Sequence, residues 1–344
     1  MSDAVATLDL PALERYFAEV LPALAGPLTA EKFGGGQSNP TFLLKSGSKR
    51  WVLRRQPPGK LLKSAHAVDR EYRVMKALAQ TAVPVPPVVH LCEDPSIIGS
   101  LFYVMDFVEG RIFWRPALNE VSREERGAIF DAMNAALVAL HSVDPAAIGL
   151  GDYGRPGNYF QRQLSRWSEQ YRASETEKRP AMDRLIAWLE ATLPADDGRV
   201  AIVHGDYRLD NMIFAPDAPR ILAIIDWELS TLGHPFADLA YQCMQWRLPD
   251  AGVFRGLGDL DRKAHGLPTE AEYVELYCRR LGVPGMPHWT FYLAFSFFRM
   301  AAILQGVLKR ALEGNASNPE RGLKMSEAIP VLVRMANELI DTKG

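Results

Sequence analysis

A chain of 344 residues that is 48% hydrophobic buries a sizeable core, which excludes a disordered or fibrous polypeptide and suggests two lobes. Lys and Arg number 39 against 41 Asp and Glu, a formal charge of −2 with no basic block, so the footprint of a nucleic-acid binder is missing. Three widely separated cysteines, Cys92, Cys243 and Cys278, argue against a disulfide framework or zinc knot and fit a cytoplasmic protein.

The N-terminal residues carry neither the basic region nor the apolar stretch of a signal peptide, so export is not expected. Asp9 before Leu-Pro-Ala-Leu can cap a helix whose apolar Leu13, Tyr16, Phe17, Val20 and Leu21 recur at helical spacing. Phe33, a glycine-rich turn over residues 34–40, and the segments 41–44 and 51–55 predict a strand, a hairpin and two further strands. A helix over about residues 65–80 and strands at 88–92 and 102–105 complete a small antiparallel sheet.

After Met105 the apolar pattern gives way to Asp106-Phe-Val-Glu-Gly, and helical periodicity dominates from there. This divides the chain into an N-terminal lobe of residues 1–107 and a C-terminal lobe of residues 108–344, an α+β protein. Ser122-Arg-Glu-Glu reads as a capping box opening a helix. Further helices are expected at 159–171, 181–193, 236–246, 270–281, 289–312 and 326–341, with short strands at 200–203, 212–214 and 221–225. Residues 291–308 are apolar enough to suggest a membrane span. Arg299 in the middle of that run would cost about 2.5–3.5 kcal/mol in a bilayer, so a buried core helix is the better reading and no membrane partner is expected.

The chemistry concentrates in His204-Gly-Asp-Tyr-Arg-Leu-Asp-Asn, followed by the apolar run 221–225 ending in Asp226. An Asp five residues before an Asn sets a base and a metal-binding amide on one loop, and a later Asp at a strand end supplies a carboxylate for Mg²⁺, the layout of a phosphotransferase site. Asp206 is the candidate base for an attacking hydroxyl, and Asn211 and Asp226 are the candidate Mg²⁺ ligands. His204 and Asp238 read as braces of the loop, and His141 as a core or capping histidine.

Phosphoryl transfer also needs a cover and a cation for the phosphates. Gly34, Gly35 and Gly36 with Ser38 and Asn39 can bring backbone N–H groups to phosphate oxygens, although such a hairpin is more often only a turn. Alternation along residues 51–55 sends Arg54 and Arg55 to opposite faces; Arg54 is expected inward, the bland reading being a charged residue at a sheet edge. Glu71 lies within the apolar stripe of its helix, so a buried ion pair with Arg54 is expected, against a surface network with Arg70 or Lys76.

On these residues the chain resembles the aminoglycoside-phosphotransferase-like kinase family, over about residues 33–241, and in particular the branch whose domains are fused to acyl-CoA dehydrogenases. The resemblance implies a bilobal protein-kinase-like fold with ATP as donor, Asp206 as base, Asn211 and Asp226 on Mg²⁺, and a linker, Met105, Asp106, Phe107 and Val108, that contacts the adenine. Arg54 stands where antibiotic kinases carry lysine, and Asp226-Trp-Glu stands for the Asp-Phe-Gly of protein kinases. The expected function is an ATP- and Mg-dependent kinase for a hydroxyl of a small molecule, with a hydroxyacyl thioester one candidate; a homodimer is compatible with it. The rival is a nucleotide-binding pseudokinase acting as sensor or scaffold, motivated by Arg54. A metal-dependent phosphohydrolase is less favoured because no second cluster of His and Asp accompanies His204 and Asp206.

Overall fold

The computed structural model describes residues 8–34, 39–57, 66–314 and 319–342. The chain forms two compact units, one of residues up to Arg111 with Met212–Ser230, the other of Ile112–Asn211 with Thr231–Gly344.

The first unit is built on strands β1 (Thr29–Lys32), β2 (Thr41–Ser46), β3 (Lys49–Arg55), β4 (Val88–Cys92) and β5 (Phe102–Asp106), an antiparallel sheet in the order β1-β2-β3-β5-β4. Helix α1 (Leu10–Val20) starts where expected, with Asp9 Oδ1 accepting the Ala12 N–H at 3.0 Å. Its Leu13 and Phe17 pack on Phe42, Leu44, Trp51, Leu53, Phe102 and Val104, one face of the sheet. Helix α2 (Val68–Leu78) packs on β4 and β5 and buries Val74, Met75 and Leu78.

The strict period of β3 gives Trp51, Leu53 and Arg55 to the α1 face and Val52 and Arg54 to the α2 face. Both arginines are taken into the unit. Arg55 is only 4% exposed, and its guanidinium donates to the Ile98 carbonyl at 3.4 Å.

A hairpin of β7 (Met212–Phe214) and β8 (Ile221–Ile224) belongs to this unit, although its place in the chain suggested the second lobe. Backbone bonds explain the difference: Arg111 and Phe214 exchange N–H···O bonds of 2.8 Å each, and the Ile224 N–H reaches the Pro84 carbonyl at 2.8 Å. The first break therefore falls after Arg111 rather than at residue 107. Gly110 permits the approach, since a Cβ there would lie 2.3 Å from the Phe214 carbonyl oxygen.

The second unit is mainly helical: α3 (Arg123–His141), α4 (Tyr159–Ser174), α5 (Pro180–Ala191), α6 (Phe236–Cys243), α7 (Arg262–His265), α8 (Glu270–Leu281), α9 (Trp289–Leu312), α10 (Pro319–Ser326) and α11 (Ala328–Asp341). Ser122 caps α3, its hydroxyl accepting the Glu125 N–H at 3.2 Å. A two-stranded ladder pairs β6 (Ala201–Val203) with β9 (Thr231–Gly233), Ala201 facing Gly233 and Val203 facing Thr231. Helix α9 is the unit's axis, with α4, α5, α6, α10 and α11 packed on it. By length and composition it could cross a membrane, yet 72% of its apolar window is buried inside the protein and Arg299 is 7% exposed. It is the core helix that Arg299 indicated.

Candidate active site

The second unit carries the loop that follows β6. Gly205 adopts φ 83°, a left-handed turn that favours glycine, and two backbone N–H groups of the turn point at one carboxylate. Asp238 on α6, 1% exposed, accepts from the His204 N–H at 2.6 Å and the Gly205 N–H at 2.8 Å. His141 at the end of α3 lies 3.3 Å from Asp238 and 2.7 Å from the Tyr277 hydroxyl. Burial alone would push the Asp238 carboxyl up; the hydrogen bond with His141, the neighbouring His204 and the Gly205 N–H outweigh it and hold the carboxyl below its usual range. The His204 ring accepts the Asp206 N–H at 3.2 Å, and Arg299 donates to the Gly205 carbonyl at 3.1 Å. His204 and Asp238 thus act on the loop's shape, as their sequence context suggested, and His141, read as a core or capping histidine, reaches the loop through Asp238.

That frame presents Asp206. Its Oδ1 accepts the Tyr241 hydroxyl at 2.6 Å and lies 3.1 Å from Arg208 Nε, while its Oδ2 accepts Asn211 Nδ2 at 3.0 Å. The same Nδ2 also donates to the Asp206 carbonyl at 2.9 Å. With its nitrogen spent, Asn211 leaves Oδ1 as the atom a hard cation would take. The Asp206 side chain is 19% exposed, so it is oriented from within and still reachable. Asp210, 3.3 Å from Arg208, has its carboxyl pushed up by burial, which Arg208 only partly offsets.

The first unit carries a second constellation around Arg54. On β3 it stands opposite Tyr103, and its Nε lies 3.0 Å from Glu71 Oε2 on α2. The strand-to-helix ion pair expected from the sequence is present. Arg54 Nη2 also lies 2.6 Å from Asp226 Oδ1 and 3.4 Å from Glu228 Oε2. Glu71 is 1% exposed and further accepts Asn39 Nδ2 at 2.8 Å and the Tyr103 hydroxyl at 3.2 Å.

Burial pushes the Glu71 carboxyl up to about 7, the pull of Arg54 being opposed by Asp226 and Glu228. Burial also works against the Arg54 charge, but the surrounding carboxylates outweigh it and keep the guanidinium protonated. Three carboxylates face one guanidinium, so the cluster has a net negative charge that a divalent cation at Asp226 would relieve. Asp226 itself has φ 68°, a left-handed conformation uncommon for a residue with a side chain and frequent at functional positions.

The resemblance implies Mg²⁺, and the chemistry of the candidate donors suits it: the Asp226 carboxylate and the Asn211 amide oxygen are both hard. Among the described residues no group of three or more His, Cys, Asp or Glu side chains could hold a metal.

Of the expected phosphate cover, Gly34 is an exposed turn residue with open space where a Cβ would stand, and Gly35, Gly36 and Ser38 lie outside the described residues. Asn39 is buried, with its side chain committed to Glu71 and, at 3.0 Å, to the His66 ring. Met105 and Asp106 end β5, the Asp106 N–H bonded to the Pro87 carbonyl at 2.9 Å and the Phe107 N–H to that of Arg50 at 3.4 Å. Val108 follows directly.

Sequence reasoning missed three residues. Tyr241 is one helical turn beyond Asp238 on α6, so both reach the loop from one face, a spacing that could have been read. Tyr103 is the cross-strand neighbour of Arg54, which requires the register. Glu228 is two residues past Asp226, and only the turn after β8 brings it to Arg54. On α9, Phe291, Phe295, Phe297 and Phe298 are core; Tyr292 lines a cavity of about 230 Å³ with Phe160 and His234, at the Gly233 end of the β6–β9 ladder, opposite to the loop that follows β6.

Residues 29–276 match the model of the phosphotransferase enzyme family. Acyl-CoA dehydrogenase family member 10 of Mus musculus is 48% identical over 332 residues, covering 95% of this chain and 31% of the mouse protein. The chain thus spans less than half the length of that relative. A Ralstonia eutropha protein, solved as a candidate aminoglycoside phosphotransferase, is 49% identical with a TM-score of 0.88, over 98% of this chain and 99% of its own. The aminoglycoside phosphotransferase APH(4)-Ia, solved in a ternary complex with AMP-PNP and hygromycin B, shares the fold at 16% identity and a TM-score of 0.59, over 94% of this chain and 98% of its own. With more than two-thirds of its length matched, the chain belongs to the phosphotransferase enzyme family and has its kinase-like α+β fold.

Proposed function

We propose that the protein is an ATP- and Mg-dependent kinase that phosphorylates a hydroxyl of a small molecule. The observation that carries this reading is the Asp206 carboxylate, oriented by Tyr241, Arg208 and Asn211 yet still reachable. In this reading Asp206 orients and accepts the proton of the acceptor hydroxyl, because a carboxylate hydrogen-bonded to that oxygen raises its nucleophilicity. Asn211 and Asp226 hold Mg²⁺, which when bound supplies charge neutralisation on the phosphates. Arg54 is the phosphate cation, oriented by Glu71, and the segment Met105 to Val108 receives the adenine. ATP as donor is supported by the AMP-PNP bound to APH(4)-Ia. The proposal keeps the cytoplasmic setting expected from the sequence.

The acceptor we assign is a neutral or anionic, partly apolar alcohol, with a hydroxyacyl thioester as the first candidate. Antibiotic acceptors are polycations. From Ala251 to Gly344 this chain has 12 Lys and Arg against 10 Asp and Glu, and Arg208 stands beside Asp206 with its side chain 38% exposed. Both features disfavour a polycation. The name of the mouse relative, acyl-CoA dehydrogenase family member 10, supports an acyl thioester. The test is competition between aminoglycosides, hydroxyacyl-CoA and simple amphipathic alcohols as acceptors: transfer to aminoglycosides with none to the other two overturns the assignment.

One observation favours a second reading, a nucleotide-binding pseudokinase that senses or scaffolds. Arg54 sits 2.6 Å from Asp226, on the carboxylate that the metal needs, and a planar guanidinium can grip it on two sides where an ammonium cannot. A thermal shift with Mg-ATP, without turnover for any acceptor, would select this reading.

A further inference from the structure

The loop contains a hydrogen bond that holding the turn does not require. His204, Asp238 and Arg299 already fix the turn through its backbone. Tyr241, 6% exposed on α6, instead sends its hydroxyl past the backbone to Asp206 Oδ1 at 2.6 Å, a short bond to a carboxylate. Burial and then the Asp206 charge push the phenol well above its ordinary value, so it is a donor throughout the neutral range.

We propose that Tyr241 is a positioning residue for the Asp206 carboxylate, its hydroxyl fixing Oδ1 and stabilising the anion so that Oδ2 is the oxygen offered to the acceptor. This deepens the kinase reading and rests on it for the word acceptor; the hydrogen bond's effect on Asp206 does not. The carboxylate has two interchangeable oxygens and one rotatable bond, and Asn211 restrains only Oδ2. With Oδ1 taken by the Tyr241 hydroxyl and beside Arg208, rotation about the Cβ–Cγ bond would break the hydrogen bond and loosen the ion pair, which favours one orientation of the carboxylate. Arg299, whose guanidinium carbon lies 5.9 Å from the centre of the Tyr241 ring, places a positive charge beside the phenol and strengthens it as a donor.

The test separates a positioning role from a merely structural one. Tyr241→Phe keeps the ring and its packing on α6 and removes the hydroxyl. At a single neutral pH and without substrate, the ¹³C resonance of the Asp206 carboxyl, assigned by its loss in Asp206→Asn, is expected to move in Tyr241→Phe because the hydrogen bond to Oδ1 is gone. A second variant, 3,5-difluorotyrosine at position 241, keeps the hydroxyl and makes it a stronger donor, and should move the resonance the other way. An unmoved resonance in both variants overturns the proposal. In a turnover assay, Tyr241→Phe should lower kcat by about three- to tenfold with KM for ATP unchanged; an unchanged kcat overturns the positioning role. Should the wild type transfer phosphate to no acceptor, the kinase reading fails while the resonance still decides whether Tyr241 holds Asp206.

Discussion

Glu71→Gln is the substitution whose consequence can be worked furthest. The wild-type carboxyl is 1% exposed and lies among Asp226, Glu228 and Arg54, with its pKa raised from 4.5 to about 7 by burial. A carboxyl whose folded pKa is raised binds protons more tightly in the native state than in the unfolded one. The stability it contributes is therefore fully present below 4.5 and is lost as pH rises through 7. A rise of about 2.5 units at 1.36 kcal/mol per unit amounts to about 3 kcal/mol lost across that window. Glutamine has no proton to lose, so the variant lacks this slope while offering an amide to the same neighbours.

Urea unfolding of both proteins from pH 4.5 to 8 provides the assay, and the difference between them cancels the groups they share. The stability of Glu71→Gln relative to wild type should climb with pH through the window and level off above 7, whatever its constant offset. A difference that does not change with pH, or that falls, would refute the account of Glu71 as a carboxyl whose proton affinity is raised by burial.

Asp206→Asn should leave Mg-ATP binding, followed by calorimetry, nearly intact while turnover falls by about 10²- to 10⁴-fold; Asp226→Ala should instead weaken metal-dependent nucleotide binding. Arg54→Ala and Glu71→Ala should each lower activity, with a double-mutant loss well short of the sum because the two side chains share one contact. Asp238→Ala strips the acceptor from two backbone N–H groups and from His141, and should cost about 3–5 kcal/mol in chemical denaturation. Gly110→Ala should destabilise by about 1–3 kcal/mol, read as a lowered Tm, because its Cβ would meet the Phe214 carbonyl.

Elements with strong period or capping were legible: α8 and α9 begin and end at the residues expected, and Asp9 and Ser122 start their helices. Strand β9 was not, because Thr-Leu-Gly is too short for alternation to register and its partner β6 lies about 30 residues back. The hairpin β7–β8 was found but given to the wrong unit, since no local pattern shows that Phe214 pairs with Arg111. At the site, the Arg54–Glu71 pair could be read because a carboxylate on an apolar stripe needs a partner. Asp226 and Glu228 as further partners of Arg54 could not, being contacts about 170 residues apart in the chain. Tyr241 was overlooked although its spacing from Asp238 was visible, because a tyrosine among Leu239, Ala240 and Cys243 reads as core.

The most direct measurement for the central claim is the mass of an acceptor after incubation with the purified protein, Mg²⁺ and ATP labelled at the γ-phosphate, run beside Asp206→Asn. The account predicts that a hydroxyl-bearing, partly apolar acceptor gains one labelled phosphate with wild type, and that the Asp206→Asn variant, still binding Mg-ATP, yields almost none. Equal labelling by both proteins would contradict the role of Asp206, and Mg-ATP binding without labelling of any acceptor would contradict the kinase reading itself.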